Sequence, residues 1–268
     1  MNKIMNAADQ NWANLFLTQN SNCGSWHGLW TSYNTNQEFI QQKKVIRDFH
    51  SNSEGTIVDH QNTYLNEDGS SSKQKWEIDK LTSNQPDGVI HPAATSMRTL
   101  ASGNGESVWI SKQLEIGQLF GGEFFFRHQN WRNSVVILYG QKGIIDRLTL
   151  ICEHDGNFPD SYPKEVIDDL EDDWIGSTKL MTPDLNLIEE KEPKKLTLKI
   201  AQPNYQTFNL PGSFIIQTPV EYKVGESFKI QVGKLITKNQ YKQISANYNN
   251  QGQFEGILWE TFERVVMN

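Results

Sequence analysis

Residues 144–153 read Ile144-Ile145-Asp146-Arg147-Leu148-Thr149-Leu150-Ile151-Cys152-Glu153. Leu148, Leu150 and Cys152 fall on one side of a period-two alternation, and Arg147, Thr149 and Glu153 on the other. That is the pattern of a strand whose two faces meet different surroundings. Working back along the chain, Trp131–Tyr139 and Gly122–His128 have the same character. Gly103-Asn104-Gly105 is a hairpin turn, because Asn-Gly tolerates the positive φ of a type I′ turn, and it joins Thr95–Ala101 to Ser107–Leu114. Further back, Ser25–Thr35, Lys43–Ser51, Thr56–Leu65 and Ser72–Ile78 read as strands separated by Ser53-Glu54-Gly55 and Glu67-Asp68-Gly69. Only the start is helical, with Ala8, Trp12, Leu15 and Phe16 on one face. Eight or nine strands in about 130 residues predict an antiparallel up-and-down barrel, with a Greek-key sandwich as the rival.

The theme returns in Lys195–Ile200, Ser213–Thr218, Ser227–Ile236, Tyr241–Tyr248 and Phe254–Arg264. Tyr139 precedes Gly143 by four residues, as Tyr248 precedes Gly252, each ahead of a terminal strand. Trp26-His27-Gly28 opens the first half and Trp174-Ile175-Gly176 the second. These matches predict duplication of one barrel-like unit. Between the halves lies the whole excess charge. Residues 154–173 hold eight acids and one base, against a net charge of −7 for the 268-residue chain. The predicted organisation is a first barrel with its helix at 1–153 and an acidic linker at 154–173. A smaller barrel follows at 174–268. Pro163, Val166, Ile167 and Leu170 predict a short helix in the linker.

Composition and motifs exclude more than they assign. Asn and Gln number 24 and 20, and Trp, Tyr and Phe number 8, 8 and 13. This is the composition of a folded chain with an aromatic core. No window is long and apolar enough for a transmembrane helix. The acidic balance argues against nucleic acid. The N-terminus lacks the apolar run of a signal peptide, and the two cysteines form no CxxC, so the expected location is cytoplasmic. The six histidines show no metal-ligand spacing, and no nucleophile elbow or phosphate loop is present. No metal or cofactor is expected. Glu123, Glu153 and Asp146 are the carboxylates available for acid–base work, on strands whose facing the sequence does not fix.

Gly24-Ser25-Trp26-His27-Gly28-Leu29-Trp30 resembles the start of lipocalin-like (calycin) barrels. Asn130–Tyr139, Trp174-Ile175-Gly176 and Thr182-Pro183-Asp184-Leu185 are similar to a family of cyanobacterial and plastid proteins with two such barrels. That family includes a chloroplast ATP synthase biogenesis factor. The resemblance implies an all-β fold of two antiparallel calycin-like barrels. It also implies a non-enzymatic assembly factor for a photosynthetic or ATP synthase complex, with F1 subunits as partners. Asp168, Asp169, Asp172 and Asp173 are the candidate docking residues. It further implies that Trp26 plugs the barrel under a stacked arginine, for which Arg147 is the nearest match by position; Trp174 is its counterpart in the second barrel.

The alternative is a carrier of a small hydrophobic or tetrapyrrole-like ligand in the first barrel. Its candidate lining is Trp30, Trp109, Phe124, Phe126, His128, Arg132 and Tyr139. An open cavity lined by aromatics with a convergent arginine favours the carrier, and a barrel filled by its own side chains excludes it. A calycin-type lyase or isomerase, the third reading, requires paired carboxylates or an Arg–Glu pair in that cavity. Finally, pairing of the first and last strands of barrel one predicts that Cys23 and Cys152 are spatial neighbours, as free thiols.

Overall fold

The computed structural model describes residues 5–170, 173–198 and 204–265. Asp172 and the end of the strand expected over Lys195–Ile200 lie outside the described residues. Helix α1 (Ala7–Phe16) is followed by β1 (Gly24–Tyr33), β2 (Phe39–Ser51), β3 (Ile57–Leu65), β4 (Ser71–Asp79), the one-turn α2 (Lys80–Ser83), β5 (Asn84–Gln85) and β6 (Gly88–His91). The first sheet continues with β7 (Ala94–Ala101), β8 (Glu106–Ser111), β9 (Phe120–His128), β10 (Trp131–Tyr139) and β11 (Ile145–Asp155). The second set is β12 (Trp174–Met181), β13 (Leu187–Glu189), β14 (Lys194–Lys195), β15 (Tyr205–Leu210), β16 (Phe214–Pro219), β17 (Phe228–Thr237), β18 (Gln240–Tyr248) and β19 (Phe254–Arg264).

Eleven strands form one antiparallel meander, with β1 hydrogen-bonded to β11, so the first long strand meets the last. β4 and β5 are left at the two ends of the sheet order, and α2 joins them in sequence. The first sheet is thus a nearly closed barrel with one seam. α1 docks at this side, where Asn11 accepts from Ala101 N at 2.9 Å and donates to Thr99 O at 3.1 Å. The Trp12 indole N–H donates to Gly55 O at 2.8 Å. The second sheet, smaller, runs β13-β12-β19-β18-β17-β16-β15, and β12 pairs β19 as β1 pairs β11. The fold class is therefore as expected, and no helix among the described residues is long and apolar enough to cross a membrane.

Two expectations need correcting. Cys152 pairs with Leu29, so Cys23 lies six positions further along β1, about 20 Å away at strand rise. Both thiols are free, but they belong to different cores, Cys152 to the main one and Cys23 to that of α1. The first strand does meet the last, in a register that separates the cysteines. Residues 161–170 form no helix. Glu165/Asp169 is an i,i+4 like-charge pair that opposes one. The segment is instead pinned by side contacts, with Ser213 N donating to Glu165 O and Leu170 packing beside Trp174. The two halves also meet through side-chain packing. The main core is continuous from β7–β11 into β12 and β15–β19, with Phe126 edge-on to Phe214 and Tyr139 bonded to Thr218 Oγ1 and Pro219 O. The two sheets share a hydrophobic core as well as the linker between them.

Candidate functional site

Alternation on β2 sends Gln41, Lys43, Val45, Arg47 and Phe49 to the inner face, and on β3 it sends His60, Asn62 and Tyr64. With Trp30, Trp76, Trp109, Glu123 and Phe125 from other strands, they enclose a cavity of about 500 Å³. Gln41, Lys43, Gln74 and Arg147 are exposed and mark its mouth, while Arg47, Arg132 and Glu123 are buried and make its floor.

The floor is a buried ion cluster of two arginines and two glutamates. Arg47 forks onto Glu153 at 2.6 and 2.8 Å and reaches Glu123 at 3.1 Å. Arg132 Nε and Nη2 each lie 2.9 Å from Glu153 Oε2, and its Nη1 donates to Asn22 O. Ser134 donates to Glu123 at 2.6 Å. Burial pushes the Glu153 carboxyl up, but Arg132 and Arg47 outweigh it and hold Glu153 below the usual carboxylate range. Burial likewise opposes the charge on Arg47, and Glu123 and Glu153 overcome it, raising its pKa. Glu153 is thus ionised, and both carboxylates accept hydrogen bonds from arginine, which argues against their acting as a general acid–base pair. The Arg132 guanidinium sits 4.5 Å from the Trp26 ring and Arg127 5.0 Å from it. Trp26 is buried beneath two arginines that come from β10 and β9. Arg147 stands at the mouth, half exposed, 3.4 Å from Asp146.

One wall carries a chain of neutral hydrogen bonds. Ala93 N–H donates to His91 Nδ1 at 3.0 Å, so the His91 proton lies on Nε2 and faces His60 Nδ1 at 2.7 Å. His60 then donates from Nε2 to Asn62 Oδ1 at 3.0 Å, Asn62 to Tyr64 Oη, and Tyr64 to Gln74. Burial, with His91 and Arg47 nearby, lowers His60 to about 2. Burial and Arg47 lower His91 to about 4. Phe49 stacks on His60 with ring centres 3.9 Å apart, and Trp76 and Trp109 flank His91. Among the described residues no three His, Cys, Asp or Glu side chains group as a metal site. The indole N–H groups of Trp30 and Trp109 are buried and have no acceptor among the described residues.

Of the residues singled out from sequence, Trp30, Trp109 and Arg132 line the cavity. Phe124, Phe126 and Tyr139 do not, because they lie in the core shared with the second sheet, and His128 shares the face of Phe124 and Phe126. The inner set of β9 is Glu123 and Phe125. Trp174 is buried against Tyr241 and Phe262. In the linker, Asp173 meets Lys195 at 2.5 Å, and Asp168 and Asp169 are exposed or half exposed without a common site. Sequence reasoning missed Arg47, Phe49, His60, Trp76 and His91. The signal for two of them was the inward period of Lys43, Val45, Arg47 and Phe49, where a charged residue sits mid-strand.

A model of a family described as a domain of unknown function (DUF3598), N-terminal, matches residues 8–158. A crystal structure of a protein of unknown function from the DUF3598 family of Nostoc punctiforme PCC 73102 is similar at TM-score 0.75 and 19% identity. It covers 95% of this chain and 99% of that one. An S-type phycobiliprotein lyase from Guillardia theta aligns at TM-score 0.34 and 12% identity, over 52% of this chain and 90% of that one. No curated protein matches the chain.

Proposed function

The chain belongs to the DUF3598 family, and from this premise and the cavity of the first barrel we propose that it is a non-enzymatic carrier of a small, unsaturated, largely apolar ligand. The observation that carries the reading is the cavity itself. A barrel of this size is either filled by its own side chains or holds one small ligand. Here about 500 Å³ stays open between Trp30, Phe49, Tyr64, Trp76, Trp109 and Phe125. That volume is within the range of small-molecule sites. Flat aromatic walls suit a conjugated body, and a tetrapyrrole-like molecule has that shape.

Catalysis is disfavoured because Glu153 is ionised and paired with two arginines, and His60 and His91 are neutral and hydrogen-bonded to each other. The case for a protein partner, including an ATP synthase or photosynthetic complex, rests on the resemblance and on the charge of residues 154–173 alone. Native mass spectrometry of the protein purified from its source tests the carrier reading. One small-molecule adduct per chain is expected, reduced in a Trp30→Ala/Trp109→Ala variant. A bare mass, together with unchanged tryptophan emission on titration with protoporphyrin IX and its dimethyl ester, would sink it.

A further inference from the structure

We propose that the ligand is an amphipathic carboxylate bound with its anionic end outward, on Lys43 and Arg147 at the mouth, and its conjugated body inward between Trp30 and Trp109. This rests on the carrier reading and fixes which way the molecule points.

The floor looks like the natural seat for an anion, since two arginines meet there. Its hydrogen bonding says otherwise. Arg47 spends Nε and both terminal nitrogens on Glu153 and Glu123. Arg132 pairs with Glu153 and donates to Asn22 O, with its face against Trp26, and only its Nη2 is without a hydrogen-bond partner among the described residues. The four charges sum to zero. A ligand carboxylate arriving there would have to displace Glu153 or Glu123 and leave it buried without its partner, which is strongly unfavourable. The His91–His60–Asn62–Tyr64 chain gives no alternative seat, because it is neutral and its donors are already used.

The remaining cations of the lining are at the other end. Lys43 has no ion pair among the described residues. Arg147 has a single, half-exposed contact of 3.4 Å with Asp146. β2 and β11 flank β1 on its two sides, so the two cations straddle that strand. The cavity therefore has a sense of direction: charge-balanced below, aromatic between, positive at the opening.

The test compares protoporphyrin IX with its dimethyl ester, which share a body and differ in charge. Binding is read from tryptophan quenching, in the wild type and in a Lys43→Glu/Arg147→Glu variant. Both substituted positions are exposed, so the variant keeps the fold. The wild type is expected to bind the acid more tightly than the ester. The variant should lose about tenfold or more for the acid and nothing for the ester, in keeping with two reversed charges at the rim. The acid's advantage should shrink as ionic strength rises from about 0.01 M to about 1 M, where screening shortens from about 30 Å to about 3 Å. Equal affinity of the variant and the wild type for the acid, with the ester still bound, overturns the orientation and leaves the carrier reading standing. Absence of binding by both probes in the wild type overturns the orientation proposal, and together with a bare native mass it removes the carrier reading itself.

Discussion

Gly28 has an ordinary strand conformation, so what matters there is the missing side chain. A Cβ at Gly28 would overlap the Glu153 side chain and lie 2.6 Å from Cys152 O. The glycine lets Glu153 lie across β1 and reach both arginines. Gly176 does the same in the second sheet, where a Cβ would strike Thr261 O and the Phe262 ring. The Trp-x-Gly pair legible at residues 26–28 and 174–176 is thus one packing device used twice. Gly28→Ala is expected to destabilise the protein by about 3 kcal/mol, read as a lower urea midpoint at unchanged slope. His60 and His91 give a second prediction. Their folded values, about 2 and about 4, lie below the 6.5 of the unfolded chain. Below pH 6.5 the unfolded state therefore binds protons that the folded state refuses, and stability falls with pH towards 4. Each histidine contributes at most about 1.4 kcal/mol per pH unit. Urea midpoints between pH 7 and 4.5 should decline less steeply in a His60→Gln/His91→Gln variant. An identical slope would show that the pair titrates normally.

At the scale of elements, the seam between β4 and β5 sets the order of local opening. β4 pairs only with β3, and β5 pairs with β6 through two residues, whereas β1 and β11 are bonded on both sides. Amide exchange should therefore be fastest in β4–β6 and slowest in β1, β10 and β11, as followed by mass spectrometry. Equal protection along the meander would mean that α1 and α2 seal the seam. The strands themselves were readable in the sequence wherever one face met solvent or the cavity: Trp131–Tyr139 and Phe254–Arg264 have the bounds that alternation suggests. The facing of β9 was not readable. Phe124 and Phe125 are both buried, one against the second sheet and the other against the cavity, so neither face of the strand is marked as outside. Alternation finds faces only when they differ in polarity. The cavity residues of β2 and β3 were hidden for the opposite reason, because a polar inner face imitates a solvated one.

For the whole molecule, the continuous core from β7–β11 into the second sheet argues for one unfolding unit. Tyr248 donates to Ser111 O at 2.9 Å, and Lys242 bonds the buried Glu106, so polar ties cross the same boundary. Calorimetry of the full chain should show a single transition, whose calorimetric and van't Hoff enthalpies agree. A chain ended after Asp155 should expose Phe124, Phe126 and Tyr139 and bind a hydrophobic dye. Two separated transitions would show that the shared core is too weak to couple the halves. The position of β9 between two cores also bears on how such a protein can change its cargo. A substitution at residue 124 or 126 is tested by the neighbouring sheet, and one at 123 or 125 by the occupant and the floor charges. No site on this strand is left to drift neutrally, so descent towards a new ligand is written more freely on β4, where Gln74 and Trp76 line the cavity and the alternate residues Lys73, Lys75 and Glu77 are exposed.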